Sequence, residues 1–291
     1  MIELTSGDYR VVVDPKRGGS LSSFEWAGIP ILRASEPGSI LETACFPLVP
    51  FSNRIARGVF SIAGRAFRIA PNFLEADKHS PLHGFGWLSE WQAVSASEDN
   101  ALIEHVYPGG DWPWTYRARQ QISLSENGVL IGLELTNCSE DTMPAGLGLH
   151  PYFPRTADTQ YHGLHRAEWQ VDKHCLPVSL IKSEESRDWW DGQPVSMRCV
   201  DTAYVGREGT LSIHWPDKDI GARIIPSKNL ATTVVYTPQG ENFFCVEPVS
   251  HETNAINLPG SRMTMLQSGE TMQAYVRIEV SAASANKQQS S

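Results

Sequence analysis

Tyr116-Arg117-Ala118-Arg119-Gln120-Gln121-Ile122-Ser123-Leu124, then Ser125-Glu126-Asn127-Gly128, then Val129-Leu130-Ile131-Gly132-Leu133-Glu134-Leu135 is the stretch from which the fold class follows. Tyr116, Ala118, Ile122 and Leu124 fall on one side of a two-residue period, and Arg117, Arg119, Gln121 and Ser123 on the other, which is the pattern of a half-buried strand. Asn127-Gly128 tolerates positive φ and suits a tight hairpin turn, after which Val129, Ile131, Leu133 and Leu135 alternate again. Near the C-terminus Met272, Ala274, Val276, Ile278 and Val280 alternate with Gln273, Tyr275, Arg277 and Glu279 in the same way.

Shorter apolar runs at 10–13, 59–62, 66–69, 91–95, 101–107, 211–215, 232–236 and 243–246 are separated by Gly, Pro, Asn and Asp clusters, and Ala63-Gly64 reads as a second hairpin turn. So many strands, with no comparable amphipathic helix between them, predict an all-β chain built as a large antiparallel β-sandwich rather than alternating βαβ units. A short helical turn is expected around Glu184–Trp190. With no internal repeat and no Pro/Gly/Ser-rich linker, residues 1–284 read as one domain. The polar residues 285–291 read as a disordered tail.

The 291 residues carry 24 Lys+Arg against 33 Asp+Glu, a net charge of −9 that disfavours phosphate backbones and anionic lipid surfaces. Neither nucleic acid nor membrane is therefore expected as a partner, and no apolar run approaches a spanning helix. The N-terminus lacks the order of a secretory signal, and five widely spaced cysteines without a CxxC pair suggest reduced thiols, so the expected compartment is cytoplasmic.

Four segments combine ionisable residues with backbone-restricting neighbours: Pro50-Phe51-Ser52-Asn53-Arg54-Ile55, Pro81-Leu82-His83-Gly84-Phe85-Gly86-Trp87, Leu149-His150-Pro151-Tyr152-Phe153-Pro154 and Phe244-Cys245-Val246-Glu247-Pro248. His83 lies in a loop where an imidazole can face a cleft, and His150 is driven toward extended geometry by Pro151; each could equally be a packing histidine. Glu247 stands in an apolar run, where a carboxylate implies either chemistry or a buried ion pair. Arg54 could contact a ligand or pin a loop through a salt bridge. His79 and His83 have the spacing of one helix face but Pro81 lies between them, His162 and His165 lack a third ligand nearby, and neither a GxSxG nucleophile elbow nor a glycine-rich phosphate loop is present.

Taken in order, Asn53-Arg54, Leu82-His83-Gly84, His150-Pro151-Tyr152-Phe153, Val200-Asp201-Thr202-Ala203-Tyr204-Val205-Gly206 and Val246-Glu247-Pro248 resemble the motifs of the aldose 1-epimerase (mutarotase) family. Cys45-Phe46-Pro47-Leu48-Val49-Pro50-Phe51 and Val246–His251 look most like a bacterial branch of it. The resemblance implies a β-sandwich with a sugar cleft on one sheet face and a monosaccharide as partner. It makes Glu247 the general base for the anomeric hydroxyl and His150 the general acid for the ring oxygen. Asn53, Arg54, His83 and Asp201 would hold sugar hydroxyls, and neither metal nor cofactor would be needed. For both groups to start in the right protonation state, nearby carboxylates are expected to raise the His150 pKa.

Two departures bear on specificity. Phe85 separates Gly84 from Gly86 where many relatives have adjacent glycines, and Arg207 replaces an aromatic after Gly206. Phe85 and Trp87 could form a stacking wall for a sugar. Beside the free-aldose reading stand a sugar-phosphate mutarotase, which would use cations such as Arg155, Lys182 and Arg207, and a non-catalytic carbohydrate-binding or sensor protein. A glycoside hydrolase using Glu247 with Asp201 is a further alternative, and the chain is expected as monomer or homodimer.

Overall fold

The alternation along Tyr116–Leu135 forms the predicted hairpin: strand Tyr116–Ser125 pairs antiparallel with Gly128–Asn137, and Tyr116, Ala118, Ile122 and Leu124 are buried. The two-residue loop is Glu126-Asn127 rather than Asn127-Gly128. Gly128 opens the second strand at φ 120°, and a Cβ there would stand 2.1 Å from the Ile278 carbonyl oxygen, so the glycine is required by the close approach of the neighbouring strand. Gln120, on the buried face, donates its Nε2–H to the Gly19 carbonyl at 2.9 Å, while its Oε1 has no hydrogen-bond partner among the described residues. Ala63 and Gly64, at φ 48° and 81°, make the expected turn between Val59–Ile62 and Arg65–Arg68.

The computed structural model describes residues 1–260 and 263–282, so the predicted tail at 285–291 lies outside the described residues. Among the described residues an 18-stranded sheet pairs antiparallel throughout and runs from Ile2–Ser6 to Thr271–Ala282, and no α-helix occurs. The chain is all-β, a large antiparallel sandwich whose main core takes its side chains from both ends of the sequence. No helix of the described residues is long and apolar enough to cross a membrane.

The helical turn expected near Glu184–Trp190 is instead the end of a 12-residue strand, Pro177–Asp188, paired with Gln160–Val171. Most of that strand is exposed or half-buried on both faces, so it carries no apolar alternation to read, and backbone pairing to its neighbour decides its conformation.

Five adjacent strands position the site. Asp201–Val205 pairs with Thr232–Tyr236, that strand with Phe243–Val249, that one with Gly148–Pro154, and the last with Cys45–Leu48. Because side chains alternate across a sheet, Leu149, Phe153, Val235, Phe244 and Val246 enter the main core. On the other face Phe46, Tyr152, Val234 and Cys245 pack with Leu82 and Trp87 in a second, smaller cluster, which floors a cleft.

Candidate active site

Strand register alone brings the two central groups together. Gly148 pairs with Val249 and Tyr152 with Cys245, so between those rungs His150 faces Glu247, and His150 Nε2 lies 3.3 Å from Glu247 Oε1. Phe46 and Val234 continue this rung on either side, while Asp201, Tyr236, Cys245 and Tyr152 form the next one. His150 is stacked on Phe46 with ring centroids 4.6 Å apart and lies 4.7 Å from the Tyr152 ring, which fixes its plane.

His83 reaches the same place from a loop. Asn53 and His83 both have positive φ, 56° and 57°, and hold one another: His83 N–H donates to the Asn53 carbonyl at 2.9 Å and Asn53 N–H donates to His83 Nδ1 at 3.1 Å. Backbone held in this sparsely populated region is stabilised by the surrounding contacts. The second bond also sets the tautomer: with Nδ1 accepting, the neutral ring carries its proton on Nε2. His83 lies edge-on to His150 at 5.2 Å and to Trp87 at 5.4 Å. The segment after Glu247 braces the loop from behind, since Ser52 N–H donates to His251 Nε2 at 3.2 Å and Asn254 N–H to the Arg54 carbonyl at 2.8 Å.

Arg54 pins a loop and also reaches the cleft. Its Nε donates to Asp77 Oδ2 at 3.0 Å, pinning the 72–80 loop, while Nη1 donates to Asn53 Oδ1 at 3.2 Å and stands 3.7 Å from Asp201 Oδ2 at the cleft. The six residues singled out from sequence, Asn53, Arg54, His83, His150, Asp201 and Glu247, all line one cavity of about 810 Å³, a size suited to a small ligand.

Burial governs the electrostatics. It pushes the Glu247 carboxyl well above the usual carboxylate range, the Asp201 charge adding to this and Arg54 opposing it. Burial, with the Arg33 charge adding to it, pushes the His150 imidazole down to about 3. The expectation that nearby carboxylates raise the His150 pKa is therefore corrected: desolvation is the largest influence and lowers it. His83 is driven well below its ordinary value by burial and by His150 and Arg54, leaving it a neutral donor through Nε2. Glu247 Oε2 is buried without a hydrogen-bond partner among the described residues, as is His150 Nδ1. Such groups are costly to leave unsatisfied, and the sheet holds them at the cleft floor.

The stacking wall expected from Phe85 and Trp87 is not formed. Trp87 is fully buried beneath Phe46 and His83, its Nε1 donating to the Leu82 and Gly84 carbonyls at 3.1 Å each, and Phe85 packs on Tyr107. The aromatic edges of the cleft are Tyr152, Tyr236 and Phe243. Sequence reading missed these and Arg33, whose guanidinium lies 3.7 Å over the Tyr152 ring and 4.5 Å from that of Phe243 while its Nε donates to the Thr43 carbonyl at 3.0 Å. Counting in twos from Glu247 reaches Phe243, and from His150 reaches Tyr152, so strand period was an available signal for both. Arg33 had none.

Of the histidine pairs weighed as metal ligands, His79 meets the His174 ring, His162 pairs with Asp188 at 2.9 Å, and His165 contacts Thr233 Oγ1 at 3.0 Å. Neither pair gathers a third ligand among the described residues.

The antiparallel all-β fold is that of galactose mutarotase-like structures. The aldose 1-epimerase family profile matches residues 1–279, and the chain belongs to that family. It is 31% identical to the uncharacterised Escherichia coli (strain K12) protein YphB, over 95% of this chain and 97% of that one. A candidate aldose 1-epimerase from E. coli K12 superposes with a TM-score of 0.89 at 27% identity, covering 97% of this chain and 98% of that one. A galactose mutarotase-like protein from Clostridium acetobutylicum has the same fold, with a TM-score of 0.81, 18% identity and coverage of 96% and 94%.

Proposed function

We propose that the protein interconverts the α and β anomers of a free aldose by acid/base ring opening and reclosure. The observation that carries this reading is the buried His150–Glu247 pair, 3.3 Å apart on the cleft floor. The anomeric hydroxyl and the ring oxygen hang from one carbon, so an acceptor and a donor this close can serve both at once. Glu247 takes the proton from the anomeric hydroxyl as His150 delivers one to the ring oxygen. The bond from C1 to the ring oxygen breaks, the aldehyde turns about C1–C2, and the reverse transfers close the other anomer. Arg54 with Asn53, the Nε2–H of His83, and Asp201 hold the hydroxyls, and Tyr152, Tyr236 and Phe243 offer apolar edges to the sugar. The chain's own groups supply both proton transfers.

Polarimetry of freshly dissolved α-D-glucose, α-D-galactose and a panel of pentoses and deoxy sugars tests the reading. Faster approach to equilibrium supports it. No acceleration on any free sugar or sugar phosphate moves the protein to the binding or sensor class, and release of reducing sugar from glycosides moves it to the hydrolases.

Charge around the cleft favours a free sugar over a phosphorylated one. Glu36, Glu42, Asp201 and Glu241 line it along with Glu247, against Arg33 and Arg54. Both arginines are engaged, Arg54 by Asp77 and Asp201, Arg33 by the Leu41 and Thr43 carbonyls. Arg155, Lys182 and Arg207, weighed as phosphate ligands, do not line the cavity. The 6-phosphate of the best aldose should therefore show a kcat/KM at least about tenfold lower than the free sugar, because a dianion meets like charge there. Equal values would restore the sugar-phosphate reading.

The pH dependence follows from the two opposite shifts. The depressed His150 stays neutral until pH falls to about 3, whereas the raised Glu247 keeps its proton above the usual carboxylate range. Between those limits the pair holds one proton, which is the inventory that one donor and one acceptor require, whichever atom carries it at rest. In chelator-treated buffer kcat/KM should show no acid limb until pH approaches about 3, and an alkaline loss where the shared proton departs, above the usual carboxylate range. An acid limb centred on an ordinary imidazole value of about 6.5 would contradict this assignment.

A further inference from the structure

An imidazole nitrogen of His150, Cys245 Sγ and a Glu247 carboxylate oxygen all lie within 4.8 Å of one another, His150 Nε2 being 3.3 Å from Glu247 Oε1, and all three residues are buried. Cys245 stands two residues before Glu247 on the same strand, so its side chain points to the same sheet face, and it is the direct cross-strand partner of Tyr152. Nitrogen, thiol sulfur and carboxylate oxygen from two hydrogen-bonded strands make a rigid three-point set. Glu247 Oε2, unpartnered and buried, supplies an independent sign that the pocket floor is built to meet something it does not itself contain.

We infer that this trio binds a borderline-soft divalent cation, Zn2+ above all, with the fourth coordination position open to the cleft, and that the bound ion competes with sugar. Three protein ligands with one open position is the arrangement of Zn2+ at accessible sites, and a mixed N/S/O set selects Zn2+ over Mg2+ or Ca2+, which prefer all-oxygen shells. On binding, the Cys245 thiol and the His150–Glu247 pair each give one proton to solvent as the metal–ligand bonds form. Glu247 binds as carboxylate and His150 through its Nε2 lone pair. The ion thus occupies the two atoms assigned above to the anomeric hydroxyl and the ring oxygen, so its inhibitory role rests on the proposed function while its binding does not. The ion is an inhibitor of ring opening here and takes no part in it.

Co2+ is the probe, because cysteinate coordination gives a sulfur-to-cobalt charge-transfer band and four-coordinate geometry gives intense visible bands. Titration of the chelator-treated full chain should yield both bands with saturation at about one equivalent, reversed by Zn2+. Cys245→Ser, which leaves Cys45, Cys138, Cys175 and Cys199 in place, should lose the charge-transfer band. If that variant does not fold, Cys245→Ala serves the same purpose, and Glu247→Gln should weaken Co2+ binding at least about tenfold. Absence of the band from the wild type, or its persistence in the Cys245 variants, overturns the site. In mutarotation assays Zn2+ should raise the apparent KM of the wild type, and Cys245→Ser should need at least about tenfold more Zn2+ for the same effect. Binding without competition overturns the inhibitory role. A protein that binds Co2+ through Cys245 and accelerates no sugar would retain the metal site and lose the mutarotase reading.

Discussion

Glu247→Gln should slow mutarotation by roughly 10²- to 10⁴-fold, the size of a general acid/base contribution, and leave the protein folded. Glutamine has the shape of the glutamate, so the contacts with Val234 across one strand boundary and His150 across the other are kept. It cannot take up a proton, so in the proposed mechanism the anomeric hydroxyl loses its acceptor while the residues proposed to hold the other hydroxyls are untouched. The loss should therefore fall on kcat, with KM nearly unchanged, because the missing interaction belongs to the transition state. Stability should not fall with it. Glu247 is 2% exposed and burial opposes its charged form, so exchanging it for a neutral amide removes no stabilising charge. Exchange of anomer signals followed by NMR, beside a thermal melt by circular dichroism, separates the two effects. A variant with wild-type kcat would take Glu247 out of the mechanism, and one with lost activity and a collapsed melt would make it a structural residue.

The fold was legible where one face of a strand meets the core and the other meets water. Tyr116–Ser125 and Thr271–Ala282 announce themselves through strict alternation because each contributes a row of buried residues opposite a row of exposed ones. Pro177–Asp188 has no such contrast, and nothing local distinguishes it from a turn. Two of the strands under the cleft are illegible for the opposite reason, although the runs at 232–236 and 243–246 were readable as strands. Cys45–Leu48 and Gly148–Leu149–His150–Pro151–Tyr152–Phe153 are buried on both faces, so apolar and polar residues do not separate by period. Short motifs singled out residues that prove to line one cleft, but what each can do there depends on register and depth. That His150 and Glu247 share a rung requires long-range pairing, and depth reverses the expected His150 shift by adding a desolvation cost that no neighbouring residue in sequence encodes. The same holds for Trp87, whose place beneath His83 rather than beside a sugar follows from its hydrogen bonds to the Leu82 and Gly84 carbonyls.

Gly84→Ala should destabilise the protein by about 3 to 5 kcal/mol and abolish most of its activity, although Gly84 contributes no side chain to the site. Its φ is +72°, and a Cβ there would lie 2.1 Å from the Val49 carbonyl oxygen and 2.6 Å from Pro50 Cδ. That carbonyl cannot retreat, because Phe85 N–H and Gly86 N–H donate to it at 2.9 and 3.1 Å. Nor can Gly84 move away, since its own carbonyl accepts from Trp87 Nε1 and, at 2.6 Å, from Asn72 Nδ2. The clash must be relieved by shifting the loop that carries His83, the neutral donor beside His150. A second substitution separates this close approach from the conformational cost of a left-handed residue. Gly64 has a φ of +81° with nothing within 4 Å of its would-be Cβ, so Gly64→Ala should cost only about 1 kcal/mol and leave mutarotation unaltered. Urea unfolding of both variants gives the comparison. Equal losses would assign the requirement at Gly84 to backbone conformation alone; a several-fold larger loss at Gly84, accompanied by lost activity, assigns it to the contact with Val49 through which the 45–50 segment and the His83 loop are held at one fixed distance beneath the cleft.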